Sequence, residues 1–352
     1  MARLIPNPLR VYHKRRVERR RAEMRAIAVI GSGSWGTALV KILSQNATGI
    51  NWYLRNARDA DYIRKNKHNP RYLTYLTLDT RKIHFYNDIH DTIRDSYIIF
   101  FAIPSAYLKE QVLDKGIDFS GKIIVSAIKG MIPEENLTIS EFFNQRCNVL
   151  YRNLAVLSGP CHAEEIAQEK LSYLTIASRR ESRLSRLNRL IECRFVRTSI
   201  SYDIKGIEYA AILKNILSIG AGICHGLGYG DNFQAVFVSN ALSEMQSFLD
   251  RIRNVPRHIG HSAYLGDLLV TCYSQYSRNR TLGTMIGKGY TVKQALLDMN
   301  MVAEGYNACR CIHELKKEMK TVHTPVIDTV YEILFNRKSP ADAMARLSEK
   351  FR

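Results

Sequence analysis

Short apolar segments rich in β-branched residues alternate with stretches of helical period through the first half of the chain. The apolar segments are RAIAVIG (25–31), INWYLRN (50–56), DSYIIFFAIPS (95–105), GKIIVSAIKG (121–130), NLAVLSGP (153–160) and LSYLTIAS (171–178). Alternation of this kind is typical of parallel strands joined by helices, and it predicts an α/β, doubly wound sheet. Ligands of such a sheet bind at the carboxyl ends of its strands, where this sequence has Pro104, Lys129 and Gly159.

Beyond Ile207 the strand pattern disappears, and apolar residues recur every three or four positions. The periodic segments cover residues 207–223, 231–252, 280–298, 302–319 and 323–336. They predict an all-α second half. The polar segment LGDLLVTCYSQYSRNRTLG (265–283) lies between these helices and is dense in Arg, Ser, Thr and Asn, the groups that bind phosphate esters.

The first predicted strand runs into a glycine-rich turn and then a helix. Gly31, Gly33 and Gly36 have the GxGxxG spacing, in which the first glycine allows the tight turn, the second lets a pyrophosphate approach and the third lets the helix pack on the strand. This predicts a Rossmann-like unit that binds a dinucleotide at the helix N-terminus. The next strand ends in Arg55, where an NAD enzyme carries an acidic residue, so we expect NADP to be accepted, although a solvated arginine is the alternative.

These patterns divide the chain into three parts. Residues 1–24 form a basic extension that a compact domain does not require, residues 25–203 a dinucleotide-binding domain, and residues 204–352 a helical substrate-binding domain. The length of 352 residues agrees with two domains.

Charge and cysteine content narrow the class of protein. Residues 1–26 hold nine Lys/Arg and two Asp/Glu, and they therefore carry a large share of the formal net charge of +18. They lack the apolar core of a secretory signal. The remaining positive charge is spread out, which suits an enzyme with anionic ligands at least as well as a nucleic-acid binder. The seven cysteines form no CxxC pair, which suits a reducing compartment. No uninterrupted apolar run approaches a membrane span, so we expect a soluble protein.

A lysine interrupts the most apolar helix. Lys214 and Asn215 lie at the centre of EYAAILKNILSIGAGI (208–223). An ammonium taken out of water without a partner costs several kcal/mol. Lys214 therefore either extends its stem to the surface or lines a cleft where its charge is used. Lys129, which closes the apolar strand IIVSAI, is a second lysine expected in a cleft.

The motifs together resemble those of the bacterial NAD(P)-dependent sn-glycerol-3-phosphate dehydrogenases. The resemblance covers residues 25–345 and rests on IAVIGSGSWGTAL, FAIPS, VSAIKG, LSGPCHAEE, GIEYAAILKNILSIGAGICHGLGYGDN, LGDLLVTCYSQYSRNRTLG and VAEG, in the order of the family. It implies a cytoplasmic homodimer that uses NADP or NAD to reduce dihydroxyacetone phosphate to sn-glycerol 3-phosphate for glycerophospholipid synthesis.

The resemblance also implies roles for individual residues. The catalytic residues would be Lys214 as acid and base, Lys129 as a second ammonium that lowers its pKa, and Asp267 as the carboxylate that orients it. Substrate contacts are implied for Lys129, Gly159, Cys161, Lys214, Asn215, Asp267, Thr271, Ser277, Arg278 and Asn279. Cofactor contacts are implied for Gly31, Gly33, Ser34, Trp35, Gly36, Arg55, Pro104, Lys129, Ala163, Arg278, Val302 and Glu304. No metal is expected.

The sequence departs from the family pattern at three positions, and two other functions stay open. Cys161 and His162 stand where the family has a hydroxyl residue and an aromatic one, and Asn240 stands where Arg is expected. A related two-domain 3-hydroxyacid dehydrogenase would also contain a Rossmann unit, a helical domain and a lysine, but has no need of the phosphate-binding groups at 277–279. A cationic nucleic-acid-binding protein would be expected to interleave aromatic residues with its basic run, which this chain does not do.

Overall fold

A computed structural model describes residues 27–299, 302–319 and 322–351. The expected basic extension, residues 1–24, lies outside the described residues. The strands are β1 Ile27–Ile30, β2 Ile50–Tyr53, β3 Ile83–Tyr86, β4 Ile98–Phe101, β5 Ile123–Ser126, β6 Met131–Ile132, β7 Leu137–Thr138, β8 Leu154–Ser158, β9 Ser172–Ser178 and β10 Val196–Ser201. All of these except the β6–β7 hairpin belong to one sheet in the described part of the chain.

The sheet has the strand order β10-β9-β8-β5-β4-β1-β2-β3. Neighbouring strands are parallel except for the antiparallel pair β8 and β9. The central strand β1 is fully buried and apolar, as a strand covered on both faces must be. The chain reverses its winding direction on either side of β1, which opens a crevice at the carboxyl ends of β1 and β4. The predicted doubly wound, Rossmann-like sheet is confirmed.

The helices that cover the sheet are α1 Ser34–Asn46, α2 Ala57–Asn66, α3 Ile89–Arg94, α4 Leu108–Val112, α5 Ile139–Gln145, α6 Ala163–Ala167 and α7 Glu181–Ile191. The second half contains α8 Ile204–Gly226, α9 Asp231–Ile252, α10 Asp267–Tyr273, α11 Arg278–Gly287, α12 Val292–Asp298, α13 Glu304–Glu318, α14 Pro325–Phe335 and α15 Pro340–Ser348. The all-α second half is therefore confirmed, with differences in detail.

Two predictions about the helical half were wrong. The single helix expected over residues 280–298 is divided into α11 and α12, because Gly289 has a φ of +99° that a helix cannot contain. The polar segment 265–283, which was expected to lie between helices, is itself largely helical, since α10 and the start of α11 lie within it. Several of its polar residues lie at helix N-termini or are buried inside the protein. The periodicity of apolar residues does not reveal helices of this kind.

Helix α8 is the core of the helical half. It is buried along almost its whole length and packs against α9, α10, α11, α13 and α14. Among the described residues it is the one helix whose length and hydropathy would suffice to cross a membrane, but the whole of that apolar window is buried inside the protein. Its apolar surface is therefore accounted for by packing.

Helices α8 and α11 cross with their backbones in contact. A Cβ at Gly222 would lie 2.1 Å from the carbonyl oxygen of Arg280, and a Cβ at Gly283 would lie 2.0 Å from that of Ile219. Real Cβ atoms do not approach backbone this closely. The glycines therefore set the distance between the helix with Lys214 and the helix that begins with Arg278.

We predict that Gly283→Ala destabilises the protein by about 1–3 kcal/mol, measured by urea unfolding. Alanine would normally gain about 1 kcal/mol over glycine within a helix, but here the added methyl group meets the α8 backbone. Gly266→Ala is the control, because its Cβ would make ordinary contacts at 3.4 Å or more. Equal stability of both variants would contradict the close crossing.

Candidate active site

A cleft of about 740 Å³ lies between the carboxyl ends of the strands and the helical half. All the residues predicted for the site line this cleft, except Gly36 and Gly159. Segments far apart in the sequence meet there: the glycine-rich turn after β1, the loops after β4, β5 and β8, and the helices α8, α10, α11 and α13.

Glycine occurs at the three positions of the first turn for three different physical reasons. Gly31 has a φ of +128°, and a Cβ there would lie 2.4 Å from the carbonyl oxygen of Ala102. A Cβ at Gly36 would lie 2.1 Å from the carbonyl oxygen of Gly31, so Gly36 serves packing and not contact with a ligand. A Cβ at Gly33 would meet no described atom within 4 Å. The protein itself does not require glycine at position 33, which fits a ligand that approaches this backbone closely.

The turn fits the phosphates of a dinucleotide. Helix α1 begins directly after Gly33, which has no side chain to cap the first N–H groups. The indole N–H of Trp35 is buried and has no partner among the described residues. Asn69 holds the turn in place, because its side-chain amide donates to the carbonyl oxygen of Ser32 at 3.0 Å and to the Thr37 hydroxyl at 2.9 Å. Asn69 was missed by the sequence analysis.

Two lysines and one aspartate form the centre of the cleft. Lys214 is 4% exposed and donates to Asp267 Oδ1 and, at 3.0 Å, to the Thr271 hydroxyl. Lys129 Nζ lies 3.5 Å from Asp267 Oδ2 and donates to the carbonyl oxygen of Gly159 at 3.1 Å. Of the two interpretations of Lys214, the surface lysine is therefore wrong. Gly159 does not line the cleft, but its carbonyl orients Lys129.

Burial changes the acidity of these groups. It lowers the pKa of Lys214 to about 7, while the Asp267 carboxylate opposes this decrease and the Lys129 ammonium adds to it. An amine with a pKa near neutrality can both give and take a proton at physiological pH. Burial also lowers the pKa of His162 to about 4, with Lys214 and Lys129 adding to the decrease, so His162 is neutral. The pKa of Cys161 is raised by burial to about 12, which leaves it a thiol.

The N-terminus of α11 faces the same cleft. Ser277 caps the helix by accepting from the backbone N–H of Arg280 at 3.3 Å, and Arg278 is the first helical residue. A guanidinium beside free helix N–H groups is suited to an anion. The side chains of the two predicted asparagines already bond to backbone groups of the protein. Asn279 Oδ1 accepts from Gly305 N at 3.0 Å, and Asn215 donates to the carbonyl oxygen of Lys129 at 2.7 Å.

The other predicted cofactor residues come from several separate segments of the cleft wall. Arg55 is exposed after β2, Ala163 begins α6, and Pro104 precedes a short 3-10 turn. Val302 and Glu304 lie at the start of α13, and both oxygens of Glu304 accept from Ser105. No group of three or more His, Cys, Asp or Glu residues within the described ranges could hold a metal ion.

Sequence reasoning missed much of the apolar and aromatic wall. The additional residues that line the cleft include Tyr53, Tyr72, Tyr107, Gln111, Val270, Tyr276, Leu296, Met299 and Tyr306. Such residues carry no spacing signal of their own, because a tyrosine in a cleft and a tyrosine at the surface look alike in a sequence. Tyr53 differs from these in that it lies within a predicted strand segment, and in the structure it closes β2 at the binding edge.

Known proteins resemble the chain over nearly its whole length. A family model described as NAD-dependent glycerol-3-phosphate dehydrogenase N-terminus matches residues 26–184, and one described as the C-terminus of the same enzyme matches residues 203–345. The glycerol-3-phosphate dehydrogenase (NAD(P)+) of Oceanobacillus iheyensis is 32% identical over 330 residues, which cover 93% of this chain and 94% of the relative. That of Bacillus cytotoxicus is 33% identical over 331 residues, covering 94% and 96%.

A solved structure agrees with these sequence comparisons. The crystal structure of glycerol-3-phosphate dehydrogenase from Coxiella burnetii superimposes with a TM-score of 0.85 at 26% identity, covering 92% of this chain and 98% of that one.

We predict that Gly33→Ala weakens NADPH binding at least about tenfold, because the new methyl group stands where the phosphates approach. Fluorescence titration measures the dissociation constant. Gly230→Ala is a matched control: Gly230 also precedes a helix, with φ −81° and ψ −179° against −72° and −175° at Gly33, and its Cβ would also meet nothing within 4 Å. Unchanged binding by Gly33→Ala would show that the phosphates do not lie on this turn.

Proposed function

This chain belongs to the NAD-dependent glycerol-3-phosphate dehydrogenase family, and from the geometry of its cleft we infer which residues carry the reaction. The reaction is the reduction of dihydroxyacetone phosphate to sn-glycerol 3-phosphate with NAD(P)H. The single observation that carries the assignment of residues is the buried Lys214–Asp267 pair, which faces the same cleft as the glycine-rich turn and Arg278.

Lys214 is the proton donor for the substrate carbonyl. Bound NAD(P)H supplies the hydride to the carbonyl carbon, and the carbonyl oxygen then needs a proton. Lys214 can provide this proton because its ammonium is buried and has a pKa of about 7. In the reverse direction the neutral amine of Lys214 accepts the proton of the alcohol.

Asp267 and Thr271 position the lysine. Both accept hydrogen bonds from Lys214, and the Thr271 hydroxyl in turn donates to the backbone carbonyl of Asp267 at 2.6 Å. The ammonium is thus fixed on two acceptors with one N–H left for the substrate oxygen. Lys129, on the other side of Asp267, adds positive charge that stabilises the developing oxyanion.

The substrate phosphate binds at the start of α11. Arg278 supplies two parallel donors to a phosphate, and the N–H groups of the first helical turn supply more. The Ser277 hydroxyl already accepts from Arg280, and Asn279 and Asn215 hold α13 and the Lys129 loop. We therefore assign contact with the phosphate chiefly to Arg278, and a supporting role to the asparagines.

The cofactor binds along the glycine-rich turn. Gly31, Gly33 and the start of α1 hold the pyrophosphate, with the unpaired Trp35 indole as a further donor. Arg55, which follows β2 and lines the cleft, would bind a 2′-phosphate, and this assignment supports use of NADPH as well as NADH.

The remaining expectations are proposals about the whole protein. We propose a cofactor domain ending at residue 203 and a substrate domain starting at residue 204, where Asp203 caps helix α8. We also propose a cytoplasmic homodimer that supplies glycerophospholipid synthesis. The alternatives, a 3-hydroxyacid dehydrogenase and a nucleic-acid-binding protein, are not favoured, because the relatives over more than nine-tenths of the chain are glycerol-3-phosphate dehydrogenases.

Steady-state assays with dihydroxyacetone phosphate and each reduced cofactor test the function, and Arg278→Ala tests the phosphate site. A charge-assisted hydrogen bond contributes about 1.5–3 kcal/mol, so we predict at least about a tenfold loss of kcat/KM for dihydroxyacetone phosphate and little change for dihydroxyacetone. Arg280→Ala, on the same helix but outside the cleft, is the control. An equal loss for both substrates would mean that Arg278 does not bind the phosphate, and absence of turnover by the unaltered protein would refute the function.

The pH dependence of the reduction tests the role of Lys214. The reduction needs the charged ammonium, which is lost as pH rises through its pKa, so we predict that kcat/KM falls above about pH 7. Asp267→Asn removes the charge that raises this pKa and should shift the fall to lower pH. Lys129→Gln removes a charge that lowers it and should shift the fall to higher pH, each by about one pH unit. Shifts in the same direction would contradict the assignment.

A further inference from the structure

A buried carboxylate of α8 contacts the cofactor-binding half at a place outside the cleft. Glu208 is 3% exposed, and it accepts from the backbone N–H of Ser140 at 2.9 Å and from the Ser140 hydroxyl. Ser140 lies in the first turn of α5, which belongs to the other half of the chain. Neither residue lines the cleft. The helix that carries Lys214 is thus attached to the cofactor half by a group that is remote from substrate and cofactor.

Two further contacts between the halves lie on the same face of α8. Lys205 Nζ donates to Glu141 Oε1 at 2.7 Å, and the side chain of Asn215 donates to the carbonyl oxygen of Lys129 at 2.7 Å. Glu208 follows Lys205 by three residues and precedes Asn215 by seven, which correspond to about one and about two helical turns. One side of α8 therefore contacts the cofactor half over several turns.

The Glu208 contact is connected to both lysines of the reacting centre. Lys214 follows Glu208 by six residues, about 9 Å along the helix. Lys129 and Gly130 lead directly into β6, which pairs with β7, and β7 runs directly into α5. A shift of α5 against α8 would therefore move the Lys129 loop relative to Lys214.

A carboxylate at this position lowers the stability of the fold. Burial raises the pKa of Glu208 from 4.5 to about 7, hydrogen bonds from Ser140 oppose the increase, and the Glu141 carboxylate adds to it. The contribution of Glu208 to stability therefore decreases as the pH rises through this range. An apolar side chain would avoid this cost, but it would not accept the two hydrogen bonds that join the halves.

We propose that Glu208 is a positioning residue that docks α8 on α5 and thereby fixes Lys214 relative to Lys129 for proton transfer. It acts through Ser140 and contacts neither substrate nor cofactor. This role rests on the proposed function, in which Lys214 protonates the substrate carbonyl.

The single-turnover rate of Glu208→Ala and its pH dependence test the docking. With saturating NADPH and dihydroxyacetone phosphate, the limiting rate of hydride transfer should fall about tenfold, while the dissociation constant of NADPH should stay within about threefold. Asp267 raises and Lys129 lowers the pKa of Lys214. A displaced Lys129 loop would raise this pKa, so the decrease in rate should move to higher pH by about half a unit.

Glu208→Gln separates the contact from the charge. Its amide oxygen can accept from the backbone N–H of Ser140 and its amide nitrogen can donate to the hydroxyl oxygen, so the limiting rate and the pH profile should stay within about twofold and 0.2 pH unit. Ser140→Ala removes one donor and should lower the limiting rate about threefold, with little further loss when combined with Glu208→Ala. It keeps the docking testable should Glu208→Ala not fold.

A second buried carboxylate provides the matched control. Glu244 of α9 is 5% exposed, accepts from the backbone N–H groups of Val326 and Ile327 at 2.8 and 2.9 Å, and has a pKa raised by burial to about 8. It holds the start of α14 within the helical half and does not line the cleft. Glu244→Ala should lower the unfolding temperature as Glu208→Ala does, but should leave the limiting rate and the pH profile unchanged.

Two kinetic results would overturn the proposal. If Glu208→Ala and Ser140→Ala lost only stability, as Glu244→Ala does, Glu208 would be a structural cap of α5 without influence on Lys214. If Glu208→Gln lost as much rate as Glu208→Ala, the effect would come from the charge of Glu208 and not from docking.

Hydrogen exchange of the ligand-free proteins tests the docking without turnover. Exchange at residues 138–145 should increase in Glu208→Ala and not in Glu244→Ala, and unchanged exchange in both would contradict the docking. If this increase were observed but the unaltered protein did not reduce dihydroxyacetone phosphate, the proposed function would be refuted while the docking of α8 on α5 remained.

Discussion

The structure depends on burying an ammonium and a carboxylate together in one cleft. Removing two charges from water costs several kcal/mol for each ion, and their attraction compensates only when the geometry is good and the remaining polar groups are paired. Lys214 and Asp267 meet this condition in part, because Asp267 Oδ1 and the Thr271 hydroxyl both accept from Lys214. Asp267 Oδ2 has no hydrogen-bond partner among the described residues and is compensated by the Lys129 ammonium at 3.5 Å. The lysine comes from α8, the aspartate from α10 and the second lysine from the loop after β5. The pair itself lies within the helical half, whereas the second lysine joins it only when both halves of the chain are correctly placed.

Helix packing supplies that placement. The glycines of α8 and α11 allow the two backbones to touch, which brings the start of α11 and Arg278 beside Lys214. A π-helical turn, Ser262–Gly266, precedes α10 and delivers Asp267 as the first residue of that helix. Local irregularity of this kind is often found at functional sites, because it turns a side chain that regular geometry would direct elsewhere. The contacts that stabilise the helical half thus also set the distances at the reacting centre.

The parts that could be predicted from the sequence are those with a strong periodic or spacing signal. The central strands are continuous apolar runs, and the GxGxxG turn lies between a strand and a helix, so both were predictable. The edge strands β3 and β10 were missed because they are partly exposed and have polar residues between the apolar ones. Asn69 and Ser105 were missed because a short polar side chain reveals nothing of its partner until distant segments are brought together. The partly helical character of residues 265–283 was missed because its polar groups point inward, against the usual pattern.

The most direct test of the account is the single-turnover rate of the Lys214→Met protein with saturating NADPH and dihydroxyacetone phosphate. Methionine keeps the unbranched stem in its buried position but removes the proton donor. The account predicts that NADPH binds with nearly unchanged affinity and that the rate of hydride transfer falls by about 10²–10⁴-fold. A variant that retains more than about a tenth of the original rate would contradict the assignment of Lys214 as the proton donor.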